Sequence, residues 1–122
     1  MKWSGAPAGT RSFAVTLYDP DAPTGSGFWH WLVGTFPPML RNSRRGREAA
    51  AATLQTRTDF AAPGYGGPCP PAGDHPHRYL FSVFAVKTER LDVNPDSSGA
   101  VVGFNLHFNT LAKAAIMGLY KR

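Results

Sequence analysis

GYGGPCPPAGDHPHRYLFSVFAV, residues 64–86, joins a loop dense in Gly, Pro and His to a run that reads as a strand. In Arg78–Val86, the residues Tyr79, Phe81, Val83 and Ala85 alternate with Arg78, Leu80, Ser82 and Phe84, and both sets are largely apolar. A period of two with two apolar faces predicts a central, buried strand. The loop before it, Gly64–Tyr79, is stiffened by proline and rich in donors, and polar loops held in one shape commonly bind something.

Working outward, Ser12–Tyr18 (SFAVTLY) alternates so that Phe13, Val15 and Leu17 face one way, which predicts a half-buried strand ended by Pro20 and Pro23. Trp29–Phe36 (WHWLVGTF) is aromatic and β-branched and predicts a second strand, stopped by Pro37 and Pro38, with His30 near its start. Met39–Gln55 has no stable period and reads as a surface excursion, and Thr56–Phe60 as a short edge strand. Towards the C-terminus, Val101, Phe104, Phe108, Leu111 and Ala115 fit helical spacing, whereas Val102, Phe104, Leu106 and Phe108 fit strand alternation. The capping set Asp96, Ser97 and Ser98 decides for a helix over about residues 97–112, with a last strand at Ala115–Tyr120. Eleven Pro and thirteen Gly in 122 residues, 43% of them apolar, fit a single mainly-β domain over residues 1–122 rather than a helical bundle.

The net charge is +5, with much of the excess in Arg41, Arg44, Arg45 and Arg47. No aromatic residues interleave with these arginines, so they read as a solvated loop; no nucleic-acid partner and at most peripheral membrane contact are expected. Cys69 stands alone, which excludes an internal disulfide and permits a reducing compartment. No run approaches a membrane span, and MKWSGAPAGT lacks the apolar core of a secretory signal, so a soluble, cytoplasmic protein is expected.

Two clusters carry the chemistry: DPDAP at 19–23 followed by FWHW at 28–31, and the 64–79 loop. Asp19 and Asp21 precede or follow proline, where an aspartate often only bonds nearby backbone amides, so one of the pair is expected to face a pocket. Near that acid, His30 and His77 would be drawn towards the imidazolium by the carboxylate and away from it by burial. Such a balanced site favours a zwitterion: an ammonium or hydroxyl on Asp19, and a phosphate held by His77, His30 and the amides of Gly66, Gly67 or Gly73. Pro68, Pro70 and Pro71 would form a rigid apolar wall, and Tyr79 could bond the ligand through its hydroxyl. His75, before Pro76, reads as a packed or capping residue.

DPDAP (19–23), the HW of His30 and Trp31, GPCPPAGDHPHRY (67–79), DFAAPGYGG (59–67) and the LAKAAIMGLYKR ending together resemble the phosphatidylethanolamine-binding protein family, most closely its bacterial, Raf kinase inhibitor-like branch. The resemblance implies a Greek-key β-sandwich with peripheral helices. It implies an anion pocket of Asp19, His30, Pro70, Pro71, His77 and Tyr79, lined also by Tyr65 and Gly67, with Asp21 and Arg78 bracing it from behind. The ligand would be a small phosphate-bearing or anionic molecule such as a phospholipid head group, and a kinase or protease could be a regulated partner. No enzymatic activity, cofactor or obligatory metal is implied. Relatives normally begin some tens of residues earlier, so the usual N-terminal strand is missing or the frame continues upstream of Met1; an edge left bare in this way invites a homodimer.

Three other readings stand beside this one. Cys69 with His77, oriented by Asp19, could form a thiolate hydrolase. His75 and His77 with Asp19 or His30 offer ligands of a kind zinc accepts. The chain could also be a pure protein-interaction module whose basic 41–47 surface meets a partner.

Overall fold

The computed structural model describes residues 7–36 and 54–122. Five strands and one helix follow in chain order: β1 (Ser12–Asp19), β2 (Phe28–Phe36), β3 (Leu54–Gln55), β4 (His77–Val86), α1 (Gly99–Asn109) and β5 (Thr110–Tyr120). The strands form one antiparallel sheet in the order β3-β2-β1-β4-β5. The mainly-β expectation therefore holds, with β4 paired on both sides as its two apolar faces require.

Alternation gives the sheet two distinct faces. On one, Ala14, Leu32 and Val86 pack with Leu91 and with Val102 and Leu106 of α1. On the other, Phe13, Val15, Val33 and Ala85 form a second cluster. Leu106 is 2% exposed, and truncating such a side chain to alanine costs about 2–5 kcal/mol through lost burial and the cavity left behind.

The helix begins where Ser98 caps it, its hydroxyl accepting from the Val101 N–H at 3.3 Å. Only Gly99, Val102 and Leu106 of α1 are buried, a narrow stripe, so Phe104 and Phe108 remain exposed. Gly99 lies so close to the Trp29 ring that a β-carbon there would collide with it. The helix ends at Asn109, short of the expected 112, and β5 starts at Thr110 instead of Ala115. Thr110 and residues 112–115 pair with β4, from Val86↔Thr110 to Ser82↔Ala115 with Leu111 at a register shift, and this ladder outweighs the local helix preference of Leu111–Ala114.

The short edge strand also falls earlier than expected. Leu54 and Gln55 pair with Gly34 and Val33, while Thr58–Ala62 closes into a turn with Ala61 at φ 68°. The excursion at 39–55, including the four arginines, lies mostly outside the described residues. At the opposite edge, Leu111–Tyr120 are exposed throughout, and the outer side of β5 has no partner strand among the described residues. No helix among them is long and apolar enough to cross a membrane.

Candidate ligand-binding site

A break in strand register builds one wall of the site. Leu17 pairs with Trp31, but its neighbour Tyr18 pairs with Trp29, which leaves His30 as an extra residue opposite no partner. Such a bulge twists the strand and re-aims a side chain. Strict alternation from Trp31 would send His30 to the helix side; instead its ring meets Phe28, Phe60 and Tyr79 at centroid distances of 4.9, 5.4 and 5.5 Å. The same bulge puts Trp29 on the helix side, against Tyr18 and beneath Gly99.

The other wall is ionic. Asp19 ends β1 and His77 begins β4, and pairing of these two strands brings together residues 58 apart in sequence. His77 Nδ1 donates to Asp19 Oδ2 at 2.7 Å, while Asp19 Oδ1 accepts from the Asp21 N–H at 2.8 Å. His77 Nε2 meets Asp74 Oδ2, also at 2.7 Å. Asp74, chiefly, and Asp19 raise the His77 pKa against the opposing effect of burial, so the ring favours the imidazolium. The same contact, led by the His77 hydrogen bond, holds Asp74 below the usual carboxylate range.

Behind this wall Asp21 takes the Arg78 guanidinium through Nε at 3.0 Å and Nη2 at 2.8 Å, and accepts the Arg78 N–H at 2.8 Å. This fork drives the Asp21 carboxyl far below its ordinary value and raises Arg78. It ties the DPDAP turn to the start of β4.

Between the walls lies a cavity of about 260 Å³. Asp19, His30, Pro70, Pro71 and His77 line it, together with Ala22, Pro23, Thr24, Phe28, Phe60 and Cys69. Five of the residues named from the sequence thus converge on one space. Tyr79 packs beneath, its ring near both His30 and His77, and burial pushes its hydroxyl up to about 12. Tyr65 and Gly67 line a neighbouring depression that shares Phe60 and Cys69 with the cavity.

Two buried polar atoms stand out: among the described residues, His30 Nδ1 has no hydrogen-bond partner, and Tyr79 Oη has at most a poorly aligned backbone contact at Cys69. Buried polar groups are nearly always satisfied, so each such exception calls for a reason. Burial lowers the His30 pKa, only partly offset by Asp19 and by backbone hydrogen bonds at Gly67 and Gly66, so this ring favours the neutral form.

Some expected donors are already engaged. The Gly66 N–H donates to the His30 carbonyl at 2.9 Å, and the Gly73 N–H to the Arg122 carbonyl at 3.4 Å, so these amides hold the loop in place. The Gly66 position also abuts the Phe60 ring too closely for a β-carbon. Neither His77 nitrogen faces Cys69 as a base, because both are bonded to carboxylates.

Sequence reasoning missed Phe28, Phe60, Asp74 and Arg122. Arg122 Nε donates to the Pro70 carbonyl at 2.6 Å and pins the proline wall from the C-terminus. Asp74 carried a usable signal, an acid three residues before His77 in a turn. Phe60 carried none, since its role depends on how the 58–62 turn folds back.

The family model for phosphatidylethanolamine-binding protein matches residues 1–121. YbcL, a UPF0098 protein of Escherichia coli (strain K12), is 50% identical over 127 residues, an overlap spanning 99% of this chain and 69% of the relative. YbhB of the same organism is 50% identical over 125 residues, spanning 98% of this chain and 78% of the relative. The crystal structure of E. coli YbcL, described as a new member of the mammalian PEBP family, matches with a TM-score of 0.90 and 49% identity, over 99% of this chain and 77% of that one. A match along almost the whole sequence, joined to the same backbone path in a solved relative, shows that this chain belongs to the phosphatidylethanolamine-binding protein family.

Proposed function

We propose that the cavity between Asp19, His30, Pro70, Pro71 and His77 binds a small phosphate-bearing ligand of balanced charge, of the phospholipid head-group type. The observation that carries this reading is His30 Nδ1, a buried nitrogen without a partner among the described residues, on the wall of a cavity of about 260 Å³. The other ring nitrogen is engaged by the backbone of Gly66 and Gly67, so Nδ1 donates to a phosphate oxygen when the ring is protonated and accepts from a hydroxyl or ammonium of the ligand when it is neutral.

Charge selects among phosphates. The His77 imidazolium lies between two carboxylates, so the ionic wall carries one net negative charge when all three groups are ionised. A bare dianion is repelled by that wall, whereas an ammonium on the same ligand is attracted to it. Phe28, Phe60 and the prolines suit the short alkyl link between the two charged ends.

Isothermal titration with phosphoethanolamine, in a buffer containing EDTA, tests the reading against wild type and His30→Ala. Losing one hydrogen bond to a charged ligand costs about 1.5–3 kcal/mol, so the variant binds roughly ten- to a hundredfold more weakly. Free phosphate and ethanolamine serve as controls and bind more weakly than the joined molecule. Equal heats from wild type and variant would remove His30 from the site.

A further inference from the structure

We infer that Asp74, His75 and His77 form a binding site for one divalent cation of the zinc class, at the solvent rim of the cavity. The inference concerns a site that shares His77 with the cavity wall, so a bound cation also changes the charge the cavity presents. It rests on how the two imidazoles are held.

One carboxylate oxygen of Asp74 and one nitrogen from each histidine lie within 4.8 Å of one another. In both rings Nδ1 already faces an oxygen: Asp19 Oδ2 at 2.7 Å for His77, and the Pro76 carbonyl at 3.0 Å for His75. A carbonyl oxygen only accepts, so the His75 proton sits on Nδ1 in the neutral ring and the Nε2 lone pair is left free. The Asp19 carboxylate imposes the same tautomer on a neutral His77. Histidines that ligate metals are held in this way, with the far ring N–H donated to a carboxylate or a backbone carbonyl.

Both Nε2 atoms then face the same acid. His77 Nε2 is 2.7 Å from Asp74 Oδ2, and His75 Nε2 is 3.9 Å from Asp74 Oδ1. Ligands placed about 2.0–2.1 Å from a tetrahedral zinc stand roughly 3.3 Å apart, so the three donor atoms, now within 4.8 Å of one another, adjust until Asp74 presents one oxygen to the cation beside both rings. Small side-chain rotations supply this. The backbone is already constrained, because the Asp74 N–H bonds the Pro71 carbonyl at 3.2 Å and Pro76 fixes the link between the two histidines. On binding, the proton shared by His77 Nε2 and Asp74 leaves to solvent, and the cation takes its place.

The site is reachable. His77 is fully buried, but the His75 side chain is 65% exposed and that of Asp74 30%, so a cation approaches from the side of these two residues. Two imidazole nitrogens and one carboxylate suit zinc, cobalt or nickel, whereas magnesium and calcium prefer all-oxygen shells. This ligand set differs from the one expected from sequence. Asp74 coordinates directly, Asp19 stands behind His77, and His30 is not in the group.

The test is calorimetric titration of tag-free, chelator-stripped protein with zinc chloride, comparing wild type with His75→Ala and Asp74→Asn. His75 is exposed, so its truncation leaves the fold intact. Wild type takes up one zinc per chain, each variant binds at least tenfold more weakly, and magnesium chloride gives no binding heat at the same concentrations. A wild-type protein without a one-to-one site overturns the inference. So does a His75→Ala variant within tenfold of wild type, which would assign the zinc to His107 or Cys69 instead.

Discussion

His30 and His77 both line one cavity, 3% and 0% exposed, and the fold treats them in opposite ways. His77 is bonded at both nitrogens by carboxylates, and its pKa is raised. His30 is ringed by Phe28, Phe60 and Tyr79, keeps an unpartnered Nδ1, and its pKa is lowered. Burial disfavours the cation at both positions, so partners and not depth decide the outcome. One wall therefore holds its charge as part of the architecture, while the other keeps a neutral ring with an unpartnered nitrogen.

The hardest blow to this contrast is His77→Ala. The substitution strips the buried Asp19 of its counter-charge, and breaking such a pair costs about 3 kcal/mol or more, read from urea denaturation. His30→Ala, which breaks no ion pair, costs less. Similar losses from both would show that the two rings differ in packing and not in charge.

Titration sharpens the same contrast. With EDTA present, the NMR midpoint of His77 lies above that of an ordinary histidine and the midpoint of His30 below it, and Asp74→Asn lowers the His77 midpoint. Stability follows with opposite signs. The His77 contribution is complete below the unfolded-state pKa, near 6.5, and is lost as pH rises through its higher folded value. The His30 contribution is present above the unfolded pKa and is lost as pH falls through its lower folded value. Coincident midpoints would erase the distinction.

Smaller effects mark its limits. Tyr79→Phe removes a buried hydroxyl whose only contact among the described residues is a poorly aligned one with the Cys69 backbone, so stability changes by less than about 1 kcal/mol or rises. A marked loss of stability would mean the hydroxyl is bonded after all. Asp21→Asn, at an exposed ion pair, shifts the melting temperature least of the set, and salt removes the shift. A larger effect than that of Tyr79→Phe would make this fork part of the ionic wall instead of its outer brace.

Local patterns made much of this visible before any coordinates. The alternation in Ser12–Tyr18, Trp29–Phe36 and Arg78–Val86 marked three strands to within a residue at each end. The Asp96–Ser98 set marked the helix start to within two residues, with Ser98 the cap in use, because a cap acts on amides only two or three residues away. Leu111–Ala114 misled for the complementary reason: their own preference is helical, but β4 offers a ladder that the short-range pattern does not contain.

Residue order alone thus determined the strand periods, the stiff proline-glycine loop and the stock of acids and imidazoles, since each of these follows from neighbours along the chain. Tertiary structure decided which of those groups touch. The bulge that turns His30 into the cavity exists only when β1 and β2 align, and the Asp19–His77 bond only when β1 lies beside β4. Both depend on contacts between distant segments, and the energy that selects such contacts is shared across the whole sheet and is not written in any one stretch.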